Sequence, residues 1–405
     1  MVKRNPNMAK LQSGYLFPEI NRRKMEFLAK NPNAKLISLG VGNTTQPVAP
    51  HIIKGMAAEV ARLGTKEGYT GYGDEQGLKE LREKIAEKIY GGLVDGDEVF
   101  VSDGSKPDTG RLQILFGSKA TIAVQDPSYP VYVDSSVMLG QTGDYNQKTL
   151  YFSGIEYMRC SPENNFFPDL KKAKRTDIIF FCDPNNPTGS VATHDQLREL
   201  VDFAKKNKSI IIFDSAYSSY SSGKNVPRSI YEIDGAKEVA IEVSSFSKSI
   251  GFTGVRLGWT IIPNQLKYDD GNSVNKDWNR IMTTIFNGAS NIAQHGGLAA
   301  LEDEGLKESK KNISYYMENA TIIRKSMENL GFKVFGGINA PYIWAKIPGK
   351  TSWQAFEEIL SKAHVITTPG VGFGPGGKGF IRLSAFGKRE DVKEAVKRIE
   401  RMMAK

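Results

Sequence analysis

Short apolar segments of the chain end, one after another, in polar motifs, and this alternation constrains the fold more than any other feature. Each segment is rich in Val, Ile and Phe and only a few residues long, as expected for buried strands. The predicted strands of this kind are residues 98–102, 121–124, 177–182, 210–213 and 239–243. Helical segments lie between them, as after the capping signal Thr193-His-Asp-Gln196. The pattern predicts an α/β fold with a mostly parallel sheet that is covered by helices on both faces.

The polar motifs follow these strands directly or after one residue. They are Asp103-Gly-Ser-Lys106, Asp126-Pro-Ser-Tyr129, Asp183-Pro-Asn-Asn-Pro-Thr-Gly189, Asp214-Ser-Ala-Tyr217 and Ser244-Ser-Phe-Ser-Lys248. In open sheets of this class, ligands bind at the carboxyl ends of the strands. The sequence therefore predicts that these motifs form one ligand site.

Residues beyond about position 290 differ in character from the rest of the chain. Helical stretches at 312–330, 353–363 and 389–403 alternate there with strand-like segments at 342–346 and 379–383. At 405 residues the chain is long enough for two domains. We predict an N-terminal arm that is part of a small domain (1–45), a large ligand-binding domain (46–290) and a small C-terminal α+β domain (291–405).

Composition disfavours several classes of protein. The sequence has no run of eighteen apolar residues, so no membrane span is expected, and its basic N-terminus lacks the apolar stretch of a secretory signal. Cys160 and Cys182 are too few for a disulfide framework, so a reducing cytoplasm is expected. The four histidines are far apart and lack metal-ligand spacing. We therefore expect no metal site.

The net charge of +9 comes from lysines and arginines that are spread over helix-like segments. Such a spread is typical of solvated helix faces, so a nucleic-acid surface is the less favoured interpretation. A mild positive field also suits small anionic substrates. We expect small-molecule substrates and no nucleic-acid partner.

Lys248 is the first candidate for chemistry. It follows a predicted strand among hydroxyl residues, Ser245 and Ser247, and Arg256 comes shortly after it. A lysine at its ordinary pKa of about 10.4 is a neutral amine in only about one molecule in a few thousand at pH 7, so a nucleophilic lysine needs burial or a nearby cation. Arg256 would serve as that cation, while the serines hold phosphate oxygens. The window suits an imine with a phosphate-bearing aldehyde, and a surface lysine on a Ser/Gly loop is the alternative.

Four further polar residues each allow a functional and a structural interpretation. Asp214 follows a buried strand, where an unpaired carboxylate is costly, so a pyridinium nitrogen would suit it, and Tyr217 would then face a ring hydroxyl. The alternative is a helix-capping Asp with a core Tyr. Asn186 lies in a turn set by two prolines, and a plain turn residue is its alternative role. Arg382 lies in an apolar run, where it would bind a substrate α-carboxylate or form a buried salt bridge.

The segment Gly372-Phe-Gly-Pro-Gly-Gly377 has the glycine spacing of a dinucleotide-binding motif. In that motif the glycines open a helix. Here a strand-like run, 380–384, follows the glycines instead. The dinucleotide interpretation therefore fails in its own structural context.

The polar residues of the strand ends, taken together with one arginine far downstream, resemble the class I/II aminotransferases, which are fold-type I pyridoxal-phosphate enzymes. The residues that carry this resemblance are Asn186, Asp214, Tyr217, Lys248, Arg256 and Arg382. The resemblance spans nearly the whole chain and narrows to the LL-diaminopimelate aminotransferases. The matching segments are Ser13-Gly-Tyr-Leu-Phe-Pro-Glu-Ile20, Gly71-Tyr-Gly-Asp-Glu-Gln-Gly77, Ser102-Asp-Gly-Ser-Lys-Pro-Asp-Thr-Gly-Arg-Leu-Gln113, Phe286-Asn-Gly-Ala-Ser-Asn-Ile-Ala-Gln294 and Arg382-Leu-Ser-Ala-Phe-Gly387. Ser105 is a departure, since alanine is more common there in that family, but a backbone amide would meet the phosphate in either case.

The resemblance implies one cofactor, pyridoxal 5′-phosphate, and catalytic roles for three residues. Lys248 would form the Schiff base with the cofactor and move the proton between Cα and C4′, while Asp214 would hold the pyridinium proton. Tyr217 and Asn186 would bond the ring oxygen. The other implied cofactor contacts are stacking by Tyr129 and phosphate binding by Ser105, Lys106, Ser245, Ser247, Arg256 and the partner subunit's Tyr72.

The resemblance also implies how substrates bind. Arg382 and the backbone at Gly42 would take the α-carboxylate, close to Tyr129 and Asn186. The implied contacts at the far end of the substrate are Tyr15, Lys106, the partner's Glu75 and the partner's Asn287. Diaminopimelate ends in an ammonium and a carboxylate and so needs both acceptors and donors, whereas an arginine alone would suit aspartate or glutamate. Sites shared in this way require a homodimer.

The expected activity is therefore amino transfer between glutamate and tetrahydrodipicolinate, which gives LL-diaminopimelate and 2-oxoglutarate on the route to lysine and peptidoglycan precursors. An aminotransferase for another amino acid (aspartate, aromatic or alanine type), or a lyase on the same fold, is the nearest alternative. A regulator with a cofactor-binding domain is disfavoured, because such regulators carry a DNA-binding domain in front, and only about 35 residues precede the first predicted strand.

Overall fold

The computed structural model of the protein describes residues 1–11 and 16–404. The strands within these residues are β1 (Ile37–Ser38), β2 (Val99–Ser102), β3 (Ile122–Asp126), β4 (Tyr145–Asn146), β5 (Tyr151–Phe152), β6 (Ile155–Arg159), β7 (Ile178–Cys182), β8 (Ile210–Asp214), β9 (Ala240–Ser245), β10 (Gly258–Ile261), β11 (Lys333–Gly336), β12 (Tyr342–Lys346), β13 (Val365–Ile366), β14 (Thr368–Pro369) and β15 (Phe380–Ser384). The α-helices are α1 (Asn7–Lys10), α2 (Leu16–Lys30), α3 (Pro50–Leu63), α4 (Lys79–Lys88), α5 (Ser105–Phe116), α6 (Val131–Met138), α7 (His194–Asn207), α8 (Phe246–Ser249), α9 (Val274–Ile285), α10 (Asn291–Ala300), α11 (Asp303–Asn329), α12 (Ser352–Glu358) and α13 (Arg389–Met403).

The large sheet has the strand order β2-β10-β9-β8-β7-β3-β6. The five strands from β9 to β6 run parallel to one another, whereas β10 lies antiparallel to both of its neighbours. β2 therefore points in the same direction as β9. The carboxyl ends of β2, β3, β7, β8 and β9, which carry the polar motifs, thus meet at one edge of the sheet.

The central strands of this sheet are buried on both faces, as every residue of β7 and β9 is buried. Side chains that alternate along β7 belong to two different apolar cores, with Ile179 and Phe181 in one and Ile178 and Phe180 in the other. Helices α3, α4, α7 and α10 contribute to the first core, and α5, α6 and α9 contribute to the second. This two-sided cover explains why the strands are continuously apolar in sequence.

A second sheet, β11-β12-β15-β14, is antiparallel throughout. Its apolar face packs on α11 and α13 in a separate core, which also includes Leu39 from the N-terminal segment. β1 joins this part of the molecule by pairing in parallel with β13. α12 continues as one π-helical turn over Ile359–Ala363. The boundaries 1–45, 46–290 and 291–405 stay predictions.

The five predicted strands are confirmed with shifts of one or two residues at their ends, and the predicted helix at 389–403 coincides with α13. The sequence analysis did not predict α6, α9, β6 or β10. β10 is only four residues long and follows a glycine-containing loop closely, so it offers too little periodicity to detect. α6 begins with Val131-Tyr-Val133, a β-branched run that does not favour a helix in isolation.

No helix among the described residues is long and apolar enough to cross a membrane. Within the same residues, no group of three or more His, Cys, Asp or Glu side chains is arranged to hold a metal ion. Cys160 and Cys182 are buried free thiols. The expected absence of a metal and the cytoplasmic location stay predictions.

Candidate active site

Lys248 lies on the single helical turn α8, directly after β9. Ser245 caps this turn, because its Oγ accepts a hydrogen bond from the amide of Ser247 at 3.0 Å. The Lys248 ammonium donates to the carbonyl oxygen of Gly42 and lies 5.5 Å from the centroid of the Phe386 ring. Burial, followed by the nearby Arg382 and Arg256 cations, lowers the pKa of Lys248 to about 8. The site therefore makes a neutral, nucleophilic amine far more accessible near physiological pH.

Asp214 is the last residue of β8, and its carboxylate is buried. The phenol of Tyr132 donates to Oδ2 at 2.7 Å, and the amide of Ala216 donates to Oδ1 at 3.1 Å. Burial raises the pKa of Asp214 above its ordinary value. Because these two partners are neutral dipoles, a cationic ligand group beside Asp214 would stabilise its charged form.

Tyr217 faces a second tyrosine from the small sheet. Its Oη lies 2.7 Å from the Oη of Tyr342, and the two rings meet edge to face with centroids 5.2 Å apart. A Cβ atom at position 42 would lie 2.2 Å from the Tyr342 Oη, so only glycine fits there. Gly42 thus lets the backbone carbonyl that meets Lys248 approach the pair of phenols.

Arg382 lies in β15 and is only 1% exposed. Its Nη1 donates to Oδ1 of Asn186 at 2.6 Å, and its Nη2 donates to the carbonyl oxygen of Gly40 at 2.7 Å. The guanidinium carbon lies 4.4 Å from the Tyr342 ring centroid and 4.7 Å from that of Phe373. Its Nε is buried without a hydrogen-bond partner. Uncharged acceptors and an Nε–H without a partner leave this buried cation with capacity for an anionic ligand.

Three elements converge on an anion cradle at the carboxyl edge of the large sheet. Helix α5 begins at Ser105, which lines the same cavity as Ser247 and Arg256, and the first turn of a helix leaves backbone amides free for an anion. Nη1 of Arg256 donates to the Ser247 Oγ at 3.1 Å, and the hydroxyls of Ser245 and Ser247 lie 2.9 Å apart. A Cβ at Gly104 would lie 2.5 Å from Nη2 of Arg256, so glycine is required for this approach. The donor set matches the charge and geometry of a phosphate group.

These groups line one cavity of about 430 Å³. Lys106 and Tyr129 line it as well, and the Tyr129 ring meets the Tyr132 ring edge to face at 5.9 Å between centroids. The sequence-predicted residues that line it are Gly42, Ser105, Lys106, Tyr129, Asn186, Asp214, Tyr217, Ser245, Ser247, Lys248, Arg256 and Arg382. We refer to this space as the cofactor cavity.

Other predicted residues lie elsewhere. Among the described residues, Tyr72, Glu75 and Asn287 do not line the cofactor cavity. Tyr72 is 91% exposed, Asn287 is exposed and Glu75 is half-buried. Tyr15 lies outside the described residues.

The loops that carry Tyr72, Glu75 and Asn287 pack against each other and form one surface unit, the paired loops (residues 70–78 and 286–291). Nδ2 of Asn291 donates to Oγ1 of Thr70 at 2.9 Å. A Cβ at Gly288 would lie 3.1 Å from the carbonyl oxygen of Asp74. The fold therefore brings Glu75 and Asn287 into the same unit, although not into the cavity of their own chain.

The sequence model of the aminotransferase class I and II family matches residues 34–399. The chain belongs to this family. Its expected α/β fold, with a mostly parallel sheet covered by helices, is confirmed. Members of the family depend on pyridoxal phosphate, so the protein is a pyridoxal-phosphate-dependent aminotransferase.

The aminotransferase is similar along its full length to proteins named LL-diaminopimelate aminotransferase. The protein from Protochlamydia amoebophila (strain UWE25) is 59% identical over 405 residues, covering 100% of this chain and 98% of that protein. The chloroplastic protein from Arabidopsis thaliana is 60% identical over 402 residues, covering 99% of this chain and 87% of that protein. The solved structure of L,L-diaminopimelate aminotransferase from Chlamydomonas reinhardtii superimposes with a TM-score of 0.95 at 59% identity, covering 99% of this chain and 98% of that chain.

The cofactor cavity of the aminotransferase fits pyridoxal phosphate at three points. The anion cradle at Ser105 and Arg256 suits the phosphate, and glycine at position 104 leaves room for the Arg256 guanidinium beside it. Asp214 accepts hydrogen bonds from two neutral donors, at 2.7 and 3.1 Å, and its carboxylate therefore suits a protonated ring nitrogen. Lys248, with its lowered pKa, suits the aldehyde. These three requirements are met within one chain.

Two tyrosines of the site were not predicted from the sequence. Tyr342 lies diagonally across from Arg382 on the same face of the small sheet, because Trp344 pairs directly with Arg382. The antiparallel register of two predicted strands would have indicated it. Tyr132 contacts Asp214 from α6, and the position of that helix over the sheet left no signal in the sequence.

Proposed function

We propose that the enzyme transfers an amino group between glutamate and tetrahydrodipicolinate. The reaction interconverts glutamate plus tetrahydrodipicolinate and 2-oxoglutarate plus LL-2,6-diaminopimelate, in the synthesis of lysine and peptidoglycan precursors. The observation that carries this proposal is the sequence identity of 59–60% over the full chain to proteins named LL-diaminopimelate aminotransferase. A buried arginine for an α-carboxylate and a separate acidic loop for a distal ammonium are consistent with it.

The cofactor would be held by residues of the cofactor cavity. The residues proposed for the phosphate are Ser105, Lys106, Ser245, Ser247 and Arg256. Asp214 would hold the ring nitrogen in its protonated form, Tyr217 and Asn186 would bond the ring oxygen, and Tyr129 would cover the ring face. When bound, pyridoxal phosphate supplies an aldehyde that reacts with amines and a protonated ring that withdraws electrons.

Lys248 would carry the cofactor and then act as the general base and acid. Because the pKa of Lys248 is lowered to about 8, its Nζ is neutral above that pH and can then accept the proton from the α-carbon of the amino acid. Its contact with the Gly42 carbonyl holds it at the end of the cavity next to Arg382.

Arg382 would bind the α-carboxylate that every amino-acid substrate presents. The unused Nε and the neutral acceptors at Asn186 and Gly40 allow a carboxylate to enter as the first anionic partner of this guanidinium. Two parallel N–H···O bonds would orient the α-carbon toward Lys248. The backbone at Gly42 would complete this end of the substrate site.

We further propose a homodimer in which the paired loops of each subunit serve the other's cavity. The exposure of Tyr72 supports this proposal. Its large aromatic side chain is 91% exposed and therefore gains little packing in an isolated chain. The partner's Tyr72 would reach the phosphate. The partner's Glu75 and the partner's Asn287 would read the distal ammonium and carboxylate, together with Tyr15 and Lys106 of the same subunit. We also place the enzyme in the cytoplasm, in line with its two buried free thiols.

A half-reaction screen tests the proposed substrate. The purified protein with bound cofactor is mixed with single amino acids, and the absorbance of the cofactor is followed over one turnover. Glutamate and LL-diaminopimelate should convert it rapidly, whereas aspartate, alanine and phenylalanine should be slower by at least about 10²-fold in kcat/KM. Preference for one of those three amino acids over diaminopimelate would contradict the proposed substrate.

A further inference from the structure

The motif at residues 102–113 contains a charged cluster that the proposed reaction does not use. Arg111 forms two hydrogen bonds to Asp103, from Nη1 to Oδ1 at 2.6 Å and from Nη2 to Oδ2 at 3.2 Å. Its Nη1 also donates to Oδ1 of Asp108 at 3.0 Å. The Arg111 side chain is 17% exposed and that of Asp108 is fully buried. Both donor nitrogens of the guanidinium fork are thereby fixed.

Asp108 ties this cluster to the frame of the large sheet. Its Oδ2 accepts hydrogen bonds from the hydroxyls of Ser102 at 2.5 Å and Thr260 at 2.8 Å. Ser102 ends β2, and Thr260 lies in the adjacent β10. Arg111 is thus mounted on two strands and on α5, the helix whose first residues belong to the anion cradle.

The planar face of Arg111 points toward the paired loops. Its guanidinium carbon lies 4.5 Å from the centroid of the Phe286 ring, a cation–π contact. Phe286 immediately precedes Asn287 and is the capping residue that follows the last residue of α9. The ring also packs against both cores of the large sheet. Arg111 therefore fixes the point from which the second loop leaves the body of the protein.

The other end of the paired loops is fixed by α10. Oε1 of Gln294 accepts from the amide of Leu78 at 2.8 Å, and its Nε2 donates to the carbonyl of Ala289 at 2.9 Å. Asn291 is bonded to Thr70. Between these anchors and Phe286 there remains only a short segment that carries Asn287. Its position depends on the anchor at each end.

We propose that Arg111 is a positioning residue for substrate selectivity, which holds Phe286 and so orients the paired loops for the active site of the partner subunit. The inference rests on the proposed function, since it assumes a homodimer with shared sites and a substrate with a distal ammonium. Arg111 of one subunit would thus affect diaminopimelate binding in the partner's active site, although α5 itself begins at the cofactor cavity of its own chain.

Arg111→Lys is the first variant that tests this assignment. Lysine keeps a positive charge beside Asp103 and buried Asp108 but loses the planar face and the two-pronged donor. We expect kcat/KM for diaminopimelate to fall about tenfold, while that for glutamate and the affinity for pyridoxal phosphate stay within about twofold. Arg398→Lys, which changes an arginine paired with Glu394 on α13, is the matched control and should alter neither substrate.

Phe286→Leu is a second, independent variant. It removes the ring and leaves the ion pairs of Arg111 in place, so it reports on the loop anchor even where Arg111→Lys unfolds. The same selective loss of about tenfold is expected. Combining the two changes should give little further loss, because both remove the same contact between Arg111 and Phe286. Thermal unfolding of each variant separates this effect from a general loss of structure.

Heterodimers decide whether Arg111 acts on its own site or on that of the partner. A dimer of Arg111→Lys and Lys248→Ala subunits has one live site, which receives unaltered paired loops, so it should regain native kcat/KM for diaminopimelate. A dimer of a native subunit with an Arg111→Lys/Lys248→Ala subunit has a live site that receives altered loops. It should keep the tenfold loss.

Two results would overturn the inference: a loss that follows the live subunit's own Arg111, or equal losses for glutamate and diaminopimelate. Heterodimers of Glu75→Gln with Lys248→Ala, built in the same way, report on the shared site itself. If these do not complement, the proposed homodimer fails and the inference fails with it. If they complement while the Arg111→Lys heterodimer does not, the inference alone is wrong.

Discussion

The cofactor cavity and the paired loops differ in how much of their surroundings a single chain provides. In the cavity, Asp214, Arg382 and Lys248 each contact groups from other elements of the same chain. In the paired loops, Tyr72 and Asn287 are exposed. The cavity is preorganised by its own fold, whereas the loops present their side chains outward.

This difference separates chemistry from selectivity. Every amino-acid substrate brings the same α-amino group and α-carboxylate, and the groups suited to these lie in the cavity. What distinguishes one amino acid from another lies at the far end of its side chain, where the proposed site depends on the paired loops. Changes at Lys248, Asp214 or Arg382 should therefore affect all substrates alike, and changes at Glu75 or Asn287 should affect some substrates more than others.

Lys248→Ala should have the largest effect, and it should be equal for both substrates. The variant loses the amine that carries the cofactor and moves the proton, so both half-reactions should slow by at least about 10⁴-fold in single-turnover absorbance measurements. Borohydride reduction of the native protein, followed by peptide mapping, should find the cofactor on Lys248. If Lys248→Ala were reduced and labelled as efficiently as the native protein, the reactive amine would lie elsewhere.

Asp214→Ala should rank second and also act on both substrates. The ring nitrogen loses its counter-charge, and single-turnover rates should fall by about 10²- to 10³-fold. Part of the cofactor should still bind, since the anion cradle is separate from Asp214. Tyr132→Phe, which removes one donor to this carboxylate, should show a smaller loss of about fivefold. Rates of Asp214→Ala within about tenfold of native, about 1.4 kcal/mol, would contradict the assigned role.

Glu75→Gln should break the symmetry between substrates. A charge-assisted hydrogen bond contributes roughly 1.5–3 kcal/mol, so the ratio of kcat/KM for diaminopimelate to that for glutamate should fall by about 10- to 150-fold. Glutamate has no distal ammonium and should be little affected. Glu67→Gln, a change at an exposed carboxylate just before the paired loops, is the control. Equal losses for the two substrates would remove Glu75 from distal recognition.

The smallest expected effect is the pH dependence of cofactor attachment, which depends on residues of the cofactor cavity alone. Burial and then the cations of Arg382 and Arg256 lower the pKa of Lys248 to about 8. Only the neutral amine attacks an aldehyde, so attachment of pyridoxal phosphate to the cofactor-free protein should slow about tenfold per pH unit below that pKa and level off above it. Arg382→Gln should move the break to higher pH, because a neighbouring cation is gone, whereas Glu75→Gln should leave it in place. Stopped-flow absorbance measures both, and a break near pH 10 in the native protein would exclude the lowered pKa.

The sequence was sufficient to predict the edge of the sheet where the site lies, because buried strands and the polar residues that end them are local patterns. It also indicated Asp214 and Arg382, since charged groups next to apolar runs need partners. The partners themselves depend on how distant elements pack. Tyr132 reaches Asp214 from a helix that the sequence did not reveal, and the short segment before Tyr217 gives no hint of its contact with Tyr342.

The structural alternatives for Lys248 and Arg382, a surface lysine and a buried salt bridge, could be judged only with the fold in hand. A lysine on a Ser/Gly loop would be solvated, but Lys248 contacts a backbone carbonyl and lies near the cations of Arg382 and Arg256. An arginine in an apolar strand could pair with a carboxylate, but the acceptors of Arg382 are an amide and a carbonyl. Neither distinction can be made from composition or spacing, because both depend on long-range contacts.

Helix α5 has a consequence for how enzymes of this kind can change during evolution. Lys106 lines the cofactor cavity and Arg111 packs on Phe286, and five positions of helix place them about 140° apart around its axis. Inserting or deleting one residue between them would rotate one against the other by about 100°. Length changes should therefore be tolerated poorly here, and also in the 70–78 loop, whose Tyr72 and Glu75 are proposed to reach the partner's site. New substrate preferences should arise by substitutions at the far end of the substrate site, on a helix whose length stays constant.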